Sequence, residues 1–321
     1  MSDLPAVVHI VEEGPREGFQ FEKGFIATAR KIELIDALSQ TGLDHIQIVS
    51  FVNPKAVPGM ADADAVVEAI APRPGVSYTA LWLNAKGFER ALKHANRLAL
   101  TGTIQLCASE KFLKRNQNRT PEEQLAGQHA IVELYKKNGV PVERGSVMAA
   151  FGCNFEGNVA AACVVSLVEQ IRDVAAAHGV TLKYVTLADT MAWATPSSIK
   201  RLVGSLRQRW PDLKLALHLH DTRGMAIANA CAGLEMGVTR FDAAVAGLGG
   251  CPFAGHTGAA GNVCTEDLVF LCEEMGIKTG IDLDALIECA RLAEDVVGHP
   301  LPGSVMKGGT LQKYRRAAAR A

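Results

Sequence analysis

Short β-branched runs alternate with longer, one-sidedly apolar stretches along almost the whole chain, and no other feature limits the fold so strongly. The runs Ala6–Val11, His45–Val49, Ser77–Leu83, Thr103–Cys107, Val142–Met148, Lys183–Leu187, Lys214–His218 and Arg240–Ala244 read as eight strands. Helical spacing occupies Thr28–Gln40, Ala85–Leu98, Thr120–Asn138, Val159–His178, Pro196–Arg209, Arg223–Gly237 and Thr265–Met275. Thr120-Pro121-Glu122-Glu123 is a helix start with an N-cap, a proline at the first position and a capping-box acid. Repeated βα units bury both faces of a parallel sheet under helices. Eight of them without a Pro- or Ser-rich linker favour one closed (β/α)8 TIM barrel over an open doubly wound sheet. The expected organisation is a single α/β domain over residues 1–321, with extra C-terminal helices from residue 281 and a basic tail from residue 313.

Charge narrows the partners. Lys plus Arg number 33 and Asp plus Glu 34, so the chain lacks the overall basic field of a nucleic-acid coat or a membrane-surface protein, and neither partner is expected. The longest stretch free of charged residues, Ala243–Thr265, contains six glycines, a proline and Asn262, and reads as loops rather than a membrane helix. The amino terminus has no basic segment followed by an apolar one, so a cytoplasmic location is expected. The eight cysteines form no CxxC pair and are expected to be thiols.

In a barrel of this kind, chemistry belongs at the carboxyl ends of the strands. At the end of the seventh lies Ala216-Leu217-His218-Leu219-His220-Asp221, where strand alternation turns His218 and His220 to the same side. Two converging imidazoles suit one divalent ion of Mn, Fe, Zn or Co, or Mg once oxygen ligands complete the shell; the alternative is a hydrogen-bonded pair in the barrel interior. At the end of the first strand, Glu12-Glu13-Gly14-Pro15-Arg16-Glu17-Gly18 crowds charge into a Gly/Pro turn. A carboxylate there can complete a metal shell and an arginine can hold an enolate or carboxylate oxygen, unless the turn is merely solvated.

Two loops add candidates. The glycine-dense segment from Ala246 to Asn262 suits a lid, and Cys251 within it can act as a general acid; glycines alone could also simply turn the chain. After the fourth strand, Ser109 to Arg119 gathers Lys111, Lys114, Arg115 and Arg119 with Asn116 and Asn118, a composition that fits phosphates or an exposed basic loop equally. Asp189, at the end of the sixth strand, is either a metal-shell carboxylate or the cap of a turn.

Taken in order, VEEGPREGFQFEK, SFVNPKAVPGMAD, CASEKFLKRNQN, FGCNFEGN, LADT, ALHLHDTRGMAIAN and AGLGGCPFAG with GNVCTEDLVF resemble the 3-hydroxy-3-methylglutaryl-CoA lyase family, within the metal-dependent TIM-barrel lyases and synthases that include isopropylmalate synthase. The resemblance implies retro-aldol cleavage of a 3-hydroxy-carboxyacyl-CoA to acetyl-CoA and a keto acid. It implies Mg2+ or Mn2+ held by Glu17, His218, His220 and Asn262, with Arg16 stabilising the thioester enolate and Cys251 supplying a proton. Asp189 is expected to support the metal site, and Ser109, Lys111, Lys114, Arg115, Asn116 and Asn118 to meet the CoA phosphates. A homodimer is expected from the family's habit.

The chain departs from the family pattern at three places. Glu17 stands where these lyases carry Asp, Gln47 where they carry Glu, and the segment from Cys251 to Asn262 is two residues longer, with His256 inside it. Two other readings therefore stay open: a Claisen-type synthase, and a non-catalytic CoA-binding paralogue motivated by Gln47.

Overall fold

The computed structural model describes residues 4–250 and 261–318. Its centre is a curled sheet of eight parallel strands: β1 His9–Glu12, β2 His45–Ser50, β3 Ser77–Leu81, β4 Gly102–Cys107, β5 Val142–Met148, β6 Tyr184–Asp189, β7 Leu215–Leu219 and β8 Arg240–Ala243. The hydrogen-bonded order is β3-β2-β1-β8-β7-β6-β5-β4. First and last strands are thus neighbours, His9 lying opposite Arg240 and Glu12 opposite Ala243. The fold is the expected (β/α)8 barrel, with a seam between β3 and β4 that Trp82 Nε1 crosses to donate to the Tyr135 hydroxyl at 2.7 Å.

Helices surround this sheet: α1 Thr28–Leu38, α2 Ala63–Ala69, α3 Ala85–Leu92, α4 Glu110–Gln117, α5 Pro121–Lys137, α6 Ala161–Ala177, α7 Pro196–Arg209, α8 Ala226–Glu235, α9 Thr265–Glu274 and α10 Leu283–Val297, followed by the short α11 Val305–Gly308 and α12 Gln312–Ala318. Each buries a periodic stripe; on α7 it is Ile199, Leu202, Val203 and Leu206. The capping box of α5 forms as its sequence requires, Thr120 Oγ1 accepting from Glu123 N while the Glu123 carboxylate accepts from Thr120 N. The C-terminal helices also appear, and the basic tail begins inside α12.

Most boundaries move by a residue or more from the sequence reading, and three differences are larger or change the element. Strand β1 starts at His9 rather than Ala6. Helix α3 ends at Leu92, short of Leu98, in turns that lead into β4. The basic stretch after β4 is a helix, not a loop: Ser109 caps it by accepting from Phe112 N, Phe112 and Leu113 turn inward, and Asn118 closes it in the left-handed conformation. Two buried apolar positions in eight were too few to outweigh its charge in a periodicity count. Among the described residues, no helix is long and apolar enough to cross a membrane.

Candidate active site

The end of β1 passes into a wide π-helical turn, Gly14–Gly18, all of it buried. Such turns recur at functional sites because they push side chains out of regular helical register. Here the turn is fastened from below by Glu12, whose carboxylate accepts from Gly14 N (2.7 Å), Val245 N (2.9 Å) and the Thr265 hydroxyl (2.5 Å). A Cβ on Gly14 would lie 2.6 Å from that same carboxylate, so the fastening requires glycine.

Arg16 and Glu17 project from this turn toward the end of β7. Glu17 Oε1 lies 3.0 Å from His220 Nε2 and accepts from Asn262 Nδ2 at 3.1 Å, and Glu17 Oε2 lies 3.9 Å from His218 Nε2. Asn262 is distant in sequence but is brought alongside His220 because residues 261–263 return antiparallel to the end of β7: Asp221 N donates to Gly261 O (2.7 Å) and Val263 N to Leu219 O (2.9 Å). The four residues the resemblance assigned to a metal therefore converge. Glu17, His218 and His220 place ligand atoms within 4.8 Å of one another. Asn262 Oδ1 is buried without a hydrogen-bond partner among the described residues. Two imidazoles, a carboxylate and a spare amide oxygen fit a divalent cation.

The surrounding groups fix the histidines. His220 Nδ1 faces the Asp189 carbonyl at 2.9 Å, and His218 Nδ1 faces Asp242 Oδ2 at 3.3 Å, which leaves each Nε2 turned toward Glu17. Burial opposes a charge on His218, yet Asp242, Glu17 and Glu13 together raise its pKa to about 9. Burial likewise works against ionised Glu17, but Arg16 and the two histidines hold it well below the usual carboxylate range. Without a cation, the pocket is balanced by the protonated imidazole. With one, the same negative field favours the ion.

Arg16 is held on three sides. Its Nη1 donates to Glu17 Oε2 at 2.8 Å, its Nε to Gln47 Oε1 and its Nη2 to Glu13 Oε2. Of the five N–H groups of a guanidinium, two have no partner among the described residues. Of the two readings of Asp189, metal-shell acid or cap of a turn, its Oδ1 takes the second, accepting from Trp193 N (2.7 Å) and Ala194 N (3.0 Å), while Oδ2 is buried without a hydrogen-bond partner among the described residues and the backbone carbonyl faces His220 Nδ1. Burial pushes this carboxyl up to about 6, against His220 and those two N–H groups.

These groups line part of a cavity of about 1270 Å³, with Glu13, Arg16, Glu17, Gln47, His218 and His220 toward the carboxyl ends of the strands and His9, His45, Tyr184 and Arg240 toward their amino ends. It reaches α4 at Asn116 and Gln117, with Arg119 beside them. The Ser109 hydroxyl is turned inward, bonded to Glu156, Phe112 N and Cys153. Lys111, Lys114 and Asn118 are exposed, and Arg115 stacks its guanidinium 4.3 Å from the Phe155 ring centre. Cys251 and His256 lie outside the described residues.

Sequence reasoning missed Glu13 and Asp242. Asp242 had a legible signal: Arg240 and Asp242, two apart on β8, must both face the barrel interior, where charge needs partners. Arg144 from β5 supplies one, donating to Asp242 at 2.8 Å. Glu13 carried no signal separate from its charged neighbours.

Barrel, imidazole pair and arginine-backed carboxylate together form a candidate metal-binding active site at the carboxyl ends of the strands. The chain belongs to the HMGL-like family, whose model matches residues 7–293. It is 42% identical to the mitochondrial hydroxymethylglutaryl-CoA lyase of Pongo abelii over 90% of this chain and 85% of that protein. It is 41% identical to the cytoplasmic 3-hydroxy-3-methylglutaryl-CoA lyase of Mus musculus over 89% of this chain and 80% of that one. Among solved structures, the hydroxymethylglutaryl-CoA lyase of Pseudomonas aeruginosa superposes with a TM-score of 0.86 at 37% identity, covering 99% of both chains. An HMG-CoA lyase from Acinetobacter baumannii in complex with coenzyme A and 3-methylmalate superposes at 0.85 with 40% identity, covering 97% of both.

Proposed function

We propose that the protein cleaves 3-hydroxy-3-methylglutaryl-CoA, or a close 3-hydroxy-carboxyacyl-CoA, to acetyl-CoA and a keto acid, with Mg2+ or Mn2+ held by Glu17, His218, His220 and Asn262. The observation that carries this reading is the convergence of those four donors beside Arg16, with Glu17, His218 and His220 lining one cavity. A bound divalent ion supplies Lewis acidity that lowers the pKa of the substrate's 3-hydroxyl.

Loss of the 3-hydroxyl proton starts the cleavage. The C2–C3 bond breaks, its electron pair passes to C2 and the thioester oxygen, and C3 becomes the ketone of the second product. Arg16, with two N–H groups unengaged and its side chain clamped on three sides, meets the charge that develops on the thioester oxygen. Cys251 gives the proton that C2 needs to become acetyl-CoA. The proton released from the 3-hydroxyl passes to water and an equal one returns to the Cys251 thiolate, so the cycle closes with no oxidant and no net consumption of water. Gln47 helps to hold Arg16, and Asp189 holds His220 through its carbonyl.

The CoA phosphates meet the exposed face of α4 at Lys111, Lys114 and Arg115, with Asn116 and Asn118 beside them; the Ser109 hydroxyl serves the helix start rather than the ligand. The described cysteines are all free thiols, which supports a reducing, cytoplasmic setting, and a homodimer completes the proposal. Purified protein with Mn2+ is expected to release acetyl-CoA and acetoacetate from 3-hydroxy-3-methylglutaryl-CoA and to stop on chelation. Absence of turnover across a panel of 3-hydroxy-carboxyacyl-CoA thioesters refutes the reading. Thiol release from acetyl-CoA only when a keto acid is present would replace it with a synthase.

A further inference from the structure

We infer that Glu13 and Gln47 form an exchange pair in which Glu13 supplies the buried carboxylate that positions Arg16 and His218, and Gln47 is neutral because Glu13 is there. The inference rests on the assignment of Arg16 and His218 to the proposed reaction. Glu13 leaves the end of β1, where its backbone N–H donates to Ala243 O at 2.8 Å, and its side chain is almost fully buried. One carboxylate oxygen, Oε2, accepts from Arg16 Nη2 and lies 3.6 Å from His218 Nδ1. This single atom therefore faces both the guanidinium and the imidazole, on the side of each that points away from Glu17.

Gln47 approaches Arg16 from β2, at a register shift against β3 between Gln47 and Val49. Irregularities of this kind re-aim side chains beside active sites. Gln47 Oε1 accepts from Arg16 Nε as a carboxylate would, but adds no charge. The guanidinium already carries Glu13 and Glu17, and Asp242 stands on the same side of His218 as Glu13. A third carboxylate on Arg16, buried beside these, meets like-charge repulsion that one guanidinium cannot offset. The site thus has room for one acid between positions 13 and 47. In this chain it stands on the first strand, at Glu13, and the second strand answers with a neutral amide. Glu13, His218 and Asp242 also bring ligand atoms within 4.8 Å of one another, but the facing oxygens of Glu13 and Asp242 each accept from a guanidinium, Arg16 and Arg144, whereas Glu17 turns its second oxygen, Oε1, to His220 and Asn262.

The test is a double-mutant cycle on the full chain with Mn2+: parent, Glu13→Gln, Gln47→Glu and the double variant, each measured for kcat, KM and thermal midpoint. Glu13→Gln is expected to lower kcat roughly 10- to 100-fold, the range for groups that orient a site residue, with KM changed less than about threefold. Gln47→Glu is expected to lose about 10-fold alone, and the double variant to return to within about fivefold of the parent. Losses that multiply in the double variant overturn the inference, as does any gain from Gln47→Glu in the parent background. A parent without turnover refutes the proposed function instead. The thermal cycle then decides the exchange, a double variant more stable than additivity supporting it and an additive one overturning it. If Glu13→Gln fails to fold, recovery of folded protein in the double variant supports the pair and failure of both overturns it.

Discussion

Glu266 is the buried acid whose titration should be most visible in the stability of the whole protein. It begins α9 directly behind the segment that carries Asn262, has no solvent exposure, and accepts from Ala246 N through Oε2 at 3.0 Å while Oε1 has no hydrogen-bond partner among the described residues. Burial raises its pKa from 4.5 to about 8, against the N–H of Ala246 and with a contribution from Asp267 and Glu12. Between those two values the folded state binds a proton that the unfolded state releases. The stability this group confers is therefore complete below pH 4.5 and is lost as pH rises through about 8. At about 1.4 kcal/mol per pH unit, the span from 4.5 to about 8 is worth on the order of 5 kcal/mol. Glu266→Gln keeps the shape and removes the titration. Its unpaired amide costs about 1–3 kcal/mol at every pH, so the quantity to compare is the slope of thermal midpoint against pH rather than the midpoint itself. With an unfolding entropy of about 2 cal/mol/K per residue, a chain of 321 residues shifts by roughly 1.5 °C per kcal/mol, so the parent should lose several degrees more than the variant between pH 5 and pH 8. Parallel slopes in differential scanning calorimetry would show that Glu266 is ionised throughout and that the burial argument is wrong.

Further outcomes follow from the same geometry. His220→Ala should weaken Mn2+ binding at least 10-fold by calorimetric titration, and unchanged affinity would remove His220 from the ligand set. Gly249 has φ +97°, and a Cβ there would lie 2.5 Å from Asn262 Nδ2 and 3.0 Å from Glu17 Cγ; Gly249→Ala should cost roughly 1–3 kcal/mol of stability and weaken Mn2+ binding, whereas parent-like values of both would mean the loop can shift without cost. The pair Lys111→Ala and Lys114→Ala should raise KM for the CoA thioester and flatten its dependence on salt while kcat is retained, since these exposed side chains are placed to meet phosphates and not the reacting bond.

The barrel was legible because each of its elements is written locally. Strand alternation, the Thr120 capping box and the eightfold βα rhythm depend on neighbours a few residues apart, and all reappear in the structure. The Glu17, His218 and His220 constellation was legible for a related reason: two of its members lie on one strand end, where alternation alone turns them to the same side. Asn262 was reached only through resemblance, because its approach depends on the antiparallel return of residues 261–263, which no local pattern records.

Charge near the site was harder to read than its ligands. Five ionisable residues lie among Glu12, Glu13, Arg16, Glu17 and Asp242, and the sequence does not show how they divide. In the structure, Glu12 binds backbone and hydroxyl donors beneath the turn, Glu17 faces the histidines, and Glu13 backs Arg16 and His218 together with Asp242. Adjacent acids thus do separate work because alternation at the end of β1 turns Glu13, with His9 and Val11, into the cavity and Glu12 away from it, while the π-helical turn carries Glu17 round to the histidines. That division gives the substitution at position 47 its meaning. A glutamine against a buried guanidinium looks like a missing charge when position 47 is considered alone, and like the neutral half of a shared arrangement once Glu13 is found on the same guanidinium.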